Sequence, residues 1–362
     1  MDDPERRARL RLARSSRIGP VTFGQLIARF GTAAAAIEAV PTLAARGGGR
    51  PPELADPRRL NDELRRVARA GARHVMIGDP DYPALLEQAD AAPPVLTVRG
   101  DLSLLDRPSI AMVGARNASA AACRFARQLA HELGQAGATI VSGLARGIDT
   151  AAHHGSIDSG TVGVIACGID IAFPPENAEL QDRIGEQGLV IAEQPPGTEP
   201  LARFFPRRNR IIAGVALGTV VVEAALRSGS LITARLAAEA GREVMAVPGS
   251  PIDPRAQGCN ALIREGAILI QSAADVMEQI RPIDARAVRA PASHWGAPPA
   301  DDATDSDRIA ITALLGPVPV PVDELIRQSG RPPAIVQTVL LELELAGRLE
   351  RHAGARVSLT GP

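Results

Sequence analysis

Lysine is absent from this chain of 362 residues, so all 40 basic side chains are arginine. That absence excludes a Walker-type phosphate loop, whose lysine reaches the terminal phosphates of a nucleotide. It also lowers the weight of arginine as a nucleic-acid signal, because a chain rich in Ala, Gly and Pro with no lysine carries the mark of GC-rich coding. Aromatic residues are scarce, with one Trp, one Tyr and six Phe, so any stacking surface must be built from very few rings. The three cysteines, Cys123, Cys167 and Cys259, are far apart and odd in number, which excludes a disulfide framework and a zinc site and leaves them as small buried apolar residues. No run of eighteen apolar residues occurs, and the opening "MDDPERRARLRLARSS" has charge where a signal peptide has an apolar core. The expectation is a cytoplasmic protein with no membrane partner. With a formal net charge of -1, a polyanion site must be a local patch and not a global field.

What is present changes character along the chain. Residues 1–80 are rich in Ala, Leu and Arg at helical spacing, broken at Gly19-Pro20 and Gly31, and read as a small helical domain. The Gly19-Pro20 turn fits either a plain helix junction or a helix start facing a phosphate, as in helix-hairpin-helix modules. After the Pro-punctuated connector 82–101, seven short apolar runs alternate with amphipathic segments: "SIAMVG", "ATIVSG", "TVGVIAC", "LVIAE", "TVVVEA", "EVMAVPG" and "AILI". Continuous apolar strands separated by helices indicate a mostly parallel sheet covered on both faces, so residues 81–281 read as an α/β, Rossmann-like doubly wound domain. Residues 282–307, rich in Pro, Ala and Asp, read as a flexible linker. Residues 308–362 offer three helices and a terminal hairpin, the pattern of a winged helix. Its third helix has no basic residue and carries Glu342 and Glu344, which argues against base reading and for packing or protein contact.

In an open parallel sheet, ligands sit beyond the carboxyl ends of the strands, where helix amides face anions. "GARNAS" (114–119) and "GLARGIDTAAHHG" (143–155) both occupy such positions and bring Arg116 and Arg146 to neighbouring strand ends. Neither matches the dinucleotide fingerprint, and no nicotinamide, flavin or other cofactor is expected. Asp149 reads as the cap of the following helix, and the adjacent His153 and His154 as packing and solvent-facing residues without the spaced partners of a metal site. "RFFPRRNRIIAG" follows the strand "LVIAE" and a Pro-rich loop, placing four arginines and two phenylalanines at one helix start. Cations there oppose the helix dipole, which a bound polyanion would offset. Arginines beside exposed rings suit single-stranded nucleic acid, with phosphates on the former and stacked bases on the latter. Along this loop one phenylalanine is expected in the core and the other outside, with Phe204 a candidate for the exposed one.

Taken in order, "VGARNAS", "VSGLARGIDTAAHHG", "FPPEN", "FFPRRNRIIAG", "VVEAALRSGSLITARLAAEAGREVMAVPG" and "GCNALIREGA" closely resemble the DNA-processing protein A family (DprA, also called Smf) over about residues 80–280. The resemblance implies a non-enzymatic protein of natural transformation and recombination. Such a protein binds incoming single-stranded DNA, protects it from nucleases and loads the RecA recombinase onto strands covered by single-strand-binding protein. Carried over by motif, the DNA site comprises Arg116, Ser142, Gly143, Arg146, Gly147, Arg203, Phe204, Phe205, Arg207, Arg208, Asn209 and Arg210. The homodimer surface falls at Leu262, Ile263 and Leu269, with recombinase contacts around 230–240, and Asn260 as a cap in the same turn. Family members often have groove lysines, for which arginines such as Arg203 must substitute here. An enzymatic alternative exists: "GTVVVEAALRSGSLITA" is loosely similar to the PGGxGTxxE loop of nucleotide phosphoribohydrolases, with Glu223 as acid or base, although "AGVALGT" replaces the PGG element. A purely structural or protein-docking role is a third reading, and it leaves the clustered arginines unexplained.

Overall fold

A computed structural model describes residues 3–89, 91–280, 302–352 and 354–360. The chain opens with helices α1 (Pro4–Ala13), α2 (Pro20–Phe30), α3 (Ala33–Arg46) and α4 (Pro57–Arg69). Asp3 and Thr32 cap α1 and α3 through side-chain acceptors, Pro20 opens α2 at its first turn, and Gly31 ends it at φ +76°.

The sheet domain then runs β1 (Arg73–Met76), α5 (Ala84–Glu87), β2 (Val95–Gly100), β3 (Ser109–Val113), α6 (Ala120–Gln135), β4 (Thr139–Ser142), α7 (Ile148–Ser156), β5 (Thr161–Ile165), α8 (Ala178–Gln187), β6 (Leu189–Ala192), α9 (Phe204–Gly214), β7 (Gly218–Val221), α10 (Ser230–Glu239), β8 (Glu243–Ala246), α11 (Gln257–Arg264), β9 (Ile268–Leu269) and α12 (Ala273–Gln279). Its nine strands are ordered β1-β2-β6-β5-β4-β3-β7-β8-β9. The seven from β3 onward are parallel and correspond to the seven apolar runs. Alternation on β3 sends Ala111 and Val113 into one apolar cluster and Ile110 and Met112 into another, so the sheet is buried on both faces. Connections leave β3 towards β4 on one side, whereas β7 returns to its other side, which makes the carboxyl ends of β3 and its neighbours the topological switch point.

Two strands extend the sheet beyond the expected set. β1 and β2 form an antiparallel pair, and β2 also runs antiparallel to β6. The helical boundary expected at residue 80 therefore falls after a strand of the sheet, and the expected connector contains β2. Contacts divide the chain into residues 62–288 and a second unit made of 1–61 with 289–362.

That second unit joins the two ends of the chain. Its carboxyl-terminal part comprises α13 (Asp305–Ala313), β10 (Val320–Pro321), α14 (Val322–Ser329), α15 (Pro333–Leu345), β11 (Leu349–His352) and β12 (Arg356–Leu359), a winged helix. Most of the expected linker, 282–301, lies outside the described residues, and α13 starts at Asp305, inside the range assigned to the linker. The third helix, α15, is covered by α3. The backbone of Gly47 approaches Glu342 so closely that a Cβ at Gly47 would lie 2.1 Å from the Glu342 carbonyl oxygen. Gln25 donates to Gln337 at 2.8 Å and Arg29 to Thr338 at 2.9 Å. Glu342 is fully buried and accepts two hydrogen bonds from Arg308, at 2.8 and 2.9 Å, while Glu344 accepts from Arg351. The acidic third helix is thus a packing element. Among the described residues no single helix is long and apolar enough to cross a membrane.

Two expectations follow. Gly47→Ala forces a methyl into backbone, so it should destabilise the joined terminal unit by about 1–3 kcal/mol, read as lost hydrogen-exchange protection of α15 with the sheet domain unaffected. The second concerns His153, which is fully buried on α7 with Nδ1 2.7 Å from Thr161 Oγ1; burial first, then His154 and Arg208, pushes it from 6.5 down to about 3. Unfolded chains take up that proton near 6.5 and the folded protein does not. The stability it confers is therefore full above pH 6.5 and is lost as pH falls towards 3, at up to about 1.4 kcal/mol per pH unit. His153→Asn should remove that share of the acid slope in denaturant titrations.

Candidate nucleic-acid interface

The loop after β4 is built to bring backbone close to side chains from elsewhere. Gly147 caps α7 at φ +76°, and a Cβ there would lie 2.3 Å from the Ala115 carbonyl oxygen, so the β3 and β4 loops touch. Leu144, buried and at φ +57°, is held by Asn177, whose Nδ2 donates to the Leu144 carbonyl at 2.8 Å and to Thr150 at 2.9 Å. Asp149 does not cap α7 from outside. It is buried, and Oδ2 accepts the amides of Gly143 at 3.1 Å and Ala145 at 3.4 Å.

α9 delivers the arginines against this loop. Arg208 is buried, with a guanidinium lying on Gly143: a Cβ at Gly143 would sit 1.3 Å from Arg208 Nη1. The same Nη1 is 3.9 Å from Asp149 Oδ2, an ion pair without a direct hydrogen bond, and Nε has no partner. Burial raises the Asp149 carboxyl against the opposing effect of Arg208 and the two amides, and burial lowers Arg208 against the effect of Asp149. Phe205 is half-buried beside them. The Arg116 guanidinium carbon stands 5.0 Å and that of Arg208 6.0 Å from its ring centroid, and Phe173 meets it edge-on at 5.8 Å and 61°. Together with Arg146, Cys167, Pro174 and Pro200 these groups line a cleft of about 180 Å³. Arg146 pairs with Glu176 at its exposed mouth.

Several residues of the expected site take other roles. Ser142 is fully buried, donating to the Met112 carbonyl at 2.6 Å, so its hydroxyl serves the sheet. Phe204 is 7% exposed and faces the core with Arg203 above its ring, so the phenylalanine at the cleft is Phe205, not Phe204. Arg210 points away, donating to Ala91 O at 2.7 Å and pairing with Glu193. Arg116, Arg146, Arg203 and Arg207 are exposed, and Asn209 is half-buried. Glu223, the acid or base of the enzymatic reading, has both carboxylate oxygens occupied by Ser119, whose N and Oγ donate at 2.9 and 2.7 Å. Asn260, expected as a cap in its turn, bonds the backbone of Gly249 in both directions.

Sequence reasoning assigned no role to Phe173, Cys167 or Asn177 in this site; the scarcity of rings was the signal available for Phe173. A larger cavity, of about 370 Å³, lies in the terminal unit, but its cations are committed: Arg308 to Glu342, Arg46 to Asp302 and Arg348 to Gly47 O. Among the described residues no group of three or more His, Cys, Asp or Glu side chains is arranged to hold a metal ion.

Residues 73–281 match the family model described as DNA recombination-mediator protein A, residues 3–65 the DprA-like N-terminal HHH domain, and residues 296–355 the DprA winged helix domain. The DNA processing protein DprA of Streptococcus pneumoniae is 45% identical over 203 residues, covering 56% of this chain and 72% of that protein. Protein Smf of Escherichia coli is 38% identical over 291 residues, covering 79% and 77%. In three dimensions, the X-ray structure of the S. pneumoniae protein matches with a TM-score of 0.60 at 38% identity, over 69% of this chain and 83% of that one. The Helicobacter pylori protein, whose structure was described for its single-stranded DNA binding mode, matches with a TM-score of 0.53 at 27% identity, over 58% and 96%. The chain belongs to the DNA recombination-mediator protein A family, the DprA/Smf proteins.

Proposed function

We propose that this chain binds single-stranded DNA in the cleft at the carboxyl ends of β3, β4 and β5, protects the strand during transformation or recombination, and delivers it to the RecA recombinase. The observation that carries the reading is the cleft itself: Arg116 and Arg208 flank the ring of Phe205, and Arg146 lines the same cleft. Three guanidiniums face two carboxylates there, Asp149 and Glu176, leaving one net positive charge before the exposed Arg203 and Arg207 are added. Guanidinium forks match phosphate oxygens, and a ring edge-packed on Phe173 holds a flat face in place for a base. Counterion release, and not bond chemistry, supplies the driving force. Family membership and the single-stranded DNA binding described for the H. pylori relative support the same assignment.

The protein would act as a cytoplasmic homodimer on strands covered by single-strand-binding protein, with recombinase contact along α10. The dimer surface is assigned to the free edge at β9, where Leu269 is 46% exposed beside the half-buried Leu262 and Ile263. A sheet edge with no further strand among the described residues and with an exposed leucine is a pairing surface. Two clefts in one dimer would hold a strand at two points and raise its local concentration.

Anisotropy titrations of a labelled oligothymidine test the reading. Affinity should fall with salt at about 0.7 log units per log unit for each phosphate contacted, and Arg116→Ala should reduce that slope by about one phosphate's worth. Phe205→Leu should cost about 1–3 kcal/mol of binding with little change in melting. Gly143→Ala, whose methyl takes the place of the Arg208 Nη1, should weaken binding as much as Arg208→Ala does. Wild-type protein that binds no oligothymidine, or binds it without salt dependence, contradicts the proposal. For the edge, Leu269→Arg should shift sedimentation from dimer to monomer while leaving the cleft's intrinsic affinity intact.

A further inference from the structure

Arg208 is an unusual arginine. Its side chain is 7% exposed, its Nε–H has no hydrogen-bond partner, and Asp149 is the one carboxylate within 4 Å of its guanidinium among the described residues. Such a group has a long stem with many rotamers and a strong preference for water, so something must hold it inside the cleft. The backbone supplies a wall on one side, where Gly143 has no Cβ, and the Phe205 ring flanks another at 6.0 Å. Neither attracts a cation into one orientation as a fixed charge does. Asp149 is itself fixed, because the amides of Gly143 and Ala145 both donate to Oδ2, the same oxygen that faces Arg208.

We propose that Asp149 is the positioning residue for Arg208: its charge, 3.9 Å from one Nη, holds the buried guanidinium in one orientation against Gly143, where it lines the cleft that takes the phosphates of the bound strand. Asp149 does not touch the DNA in this arrangement. Its charge is transmitted through Arg208, and the loop amides that anchor it tie the orientation of the arginine to the shape of the 143–147 loop. This inference rests on the single-stranded DNA reading of the cleft, yet the orientation of Arg208 is a property of the free protein and can be measured without DNA.

A double-mutant cycle on oligothymidine affinity tests it. Asp149→Asn should weaken binding about tenfold in the wild-type background and by less than about twofold in the Arg208→Ala background, because the aspartate acts through the arginine. Asp149→Glu, which keeps the charge, should recover most of the loss while Asn does not. A role confined to bracing the loop predicts the same loss in both backgrounds, and that result, or wild-type affinity for Asp149→Asn, overturns the proposal. Nitrogen-15 NMR of the arginine Nε–H signals is the DNA-independent arm. The Arg208 signal should be protected from exchange in the free wild-type protein and in Asp149→Glu, and should be lost in Asp149→Asn. If wild type fails to bind oligothymidine but this NMR pattern holds, the DNA reading falls and the positioning role stands; a signal unchanged by Asp149→Asn overturns the positioning role whatever the DNA result.

Discussion

The cleft depends on one buried charge lying on one bare backbone. Arg208 comes from α9 and Gly143 from the end of β4, and the guanidinium occupies the space a side chain at 143 would fill. Everything around the pair follows from that requirement. Gly143 must lack a Cβ, its amide must be bonded elsewhere and the buried charge must be opposed; Asp149 meets the last two needs by accepting that amide and facing the guanidinium. Burying an unpaired guanidinium would cost several kcal/mol, and pairing it with a carboxylate fixed by two amides offsets much of that cost.

The sheet topology explains why such a pair can exist at all. At the switch point the loops after β3 and β4 meet at the carboxyl ends of their strands, and α9 reaches the same rim after β6. Gly147 lets the two loops touch, Asn177 pins Leu144 in a left-handed conformation, and Glu223 ties the start of α6 through Ser119. They make a rigid rim on which arginines can be placed, which is what a clamp for a flexible polyanion needs. In the unit formed by the two termini arginine is used differently: Arg29, Arg46 and Arg308 gather on Asp302, and the winged helix buries its third helix against α3.

Much of this was legible beforehand. The seven parallel strands stood out because strands covered on both faces are apolar without interruption, and the rim followed from where they end. β1 and β2 were missed because they lie among prolines and glycines and gain their stability from antiparallel pairing that no local pattern announces. Within the site, the cluster of arginines was visible but its division was not. Arg208, Arg207 and Arg210 are near neighbours in sequence, yet one is buried on Gly143, one is exposed, and one is bound by Glu193 and Ala91 O. Adjacent Phe204 and Phe205 differ in the same way, since successive helical positions face different directions. Asp149 was read as a helix cap because residue type and position suit a cap; it accepts amides of the preceding loop instead, and the cation it opposes is 59 positions away in sequence, beyond the reach of any local rule.

The most direct test of the account is photo-cross-linking of the full chain to a halogenated oligothymidine, with the attached peptides mapped by mass spectrometry. The account predicts cross-links on the peptides that carry Phe205 and Phe173, lost on competition with unlabelled single strand and reduced by high salt. Cross-links confined to the terminal helices or the winged helix, with none at the cleft, would contradict it.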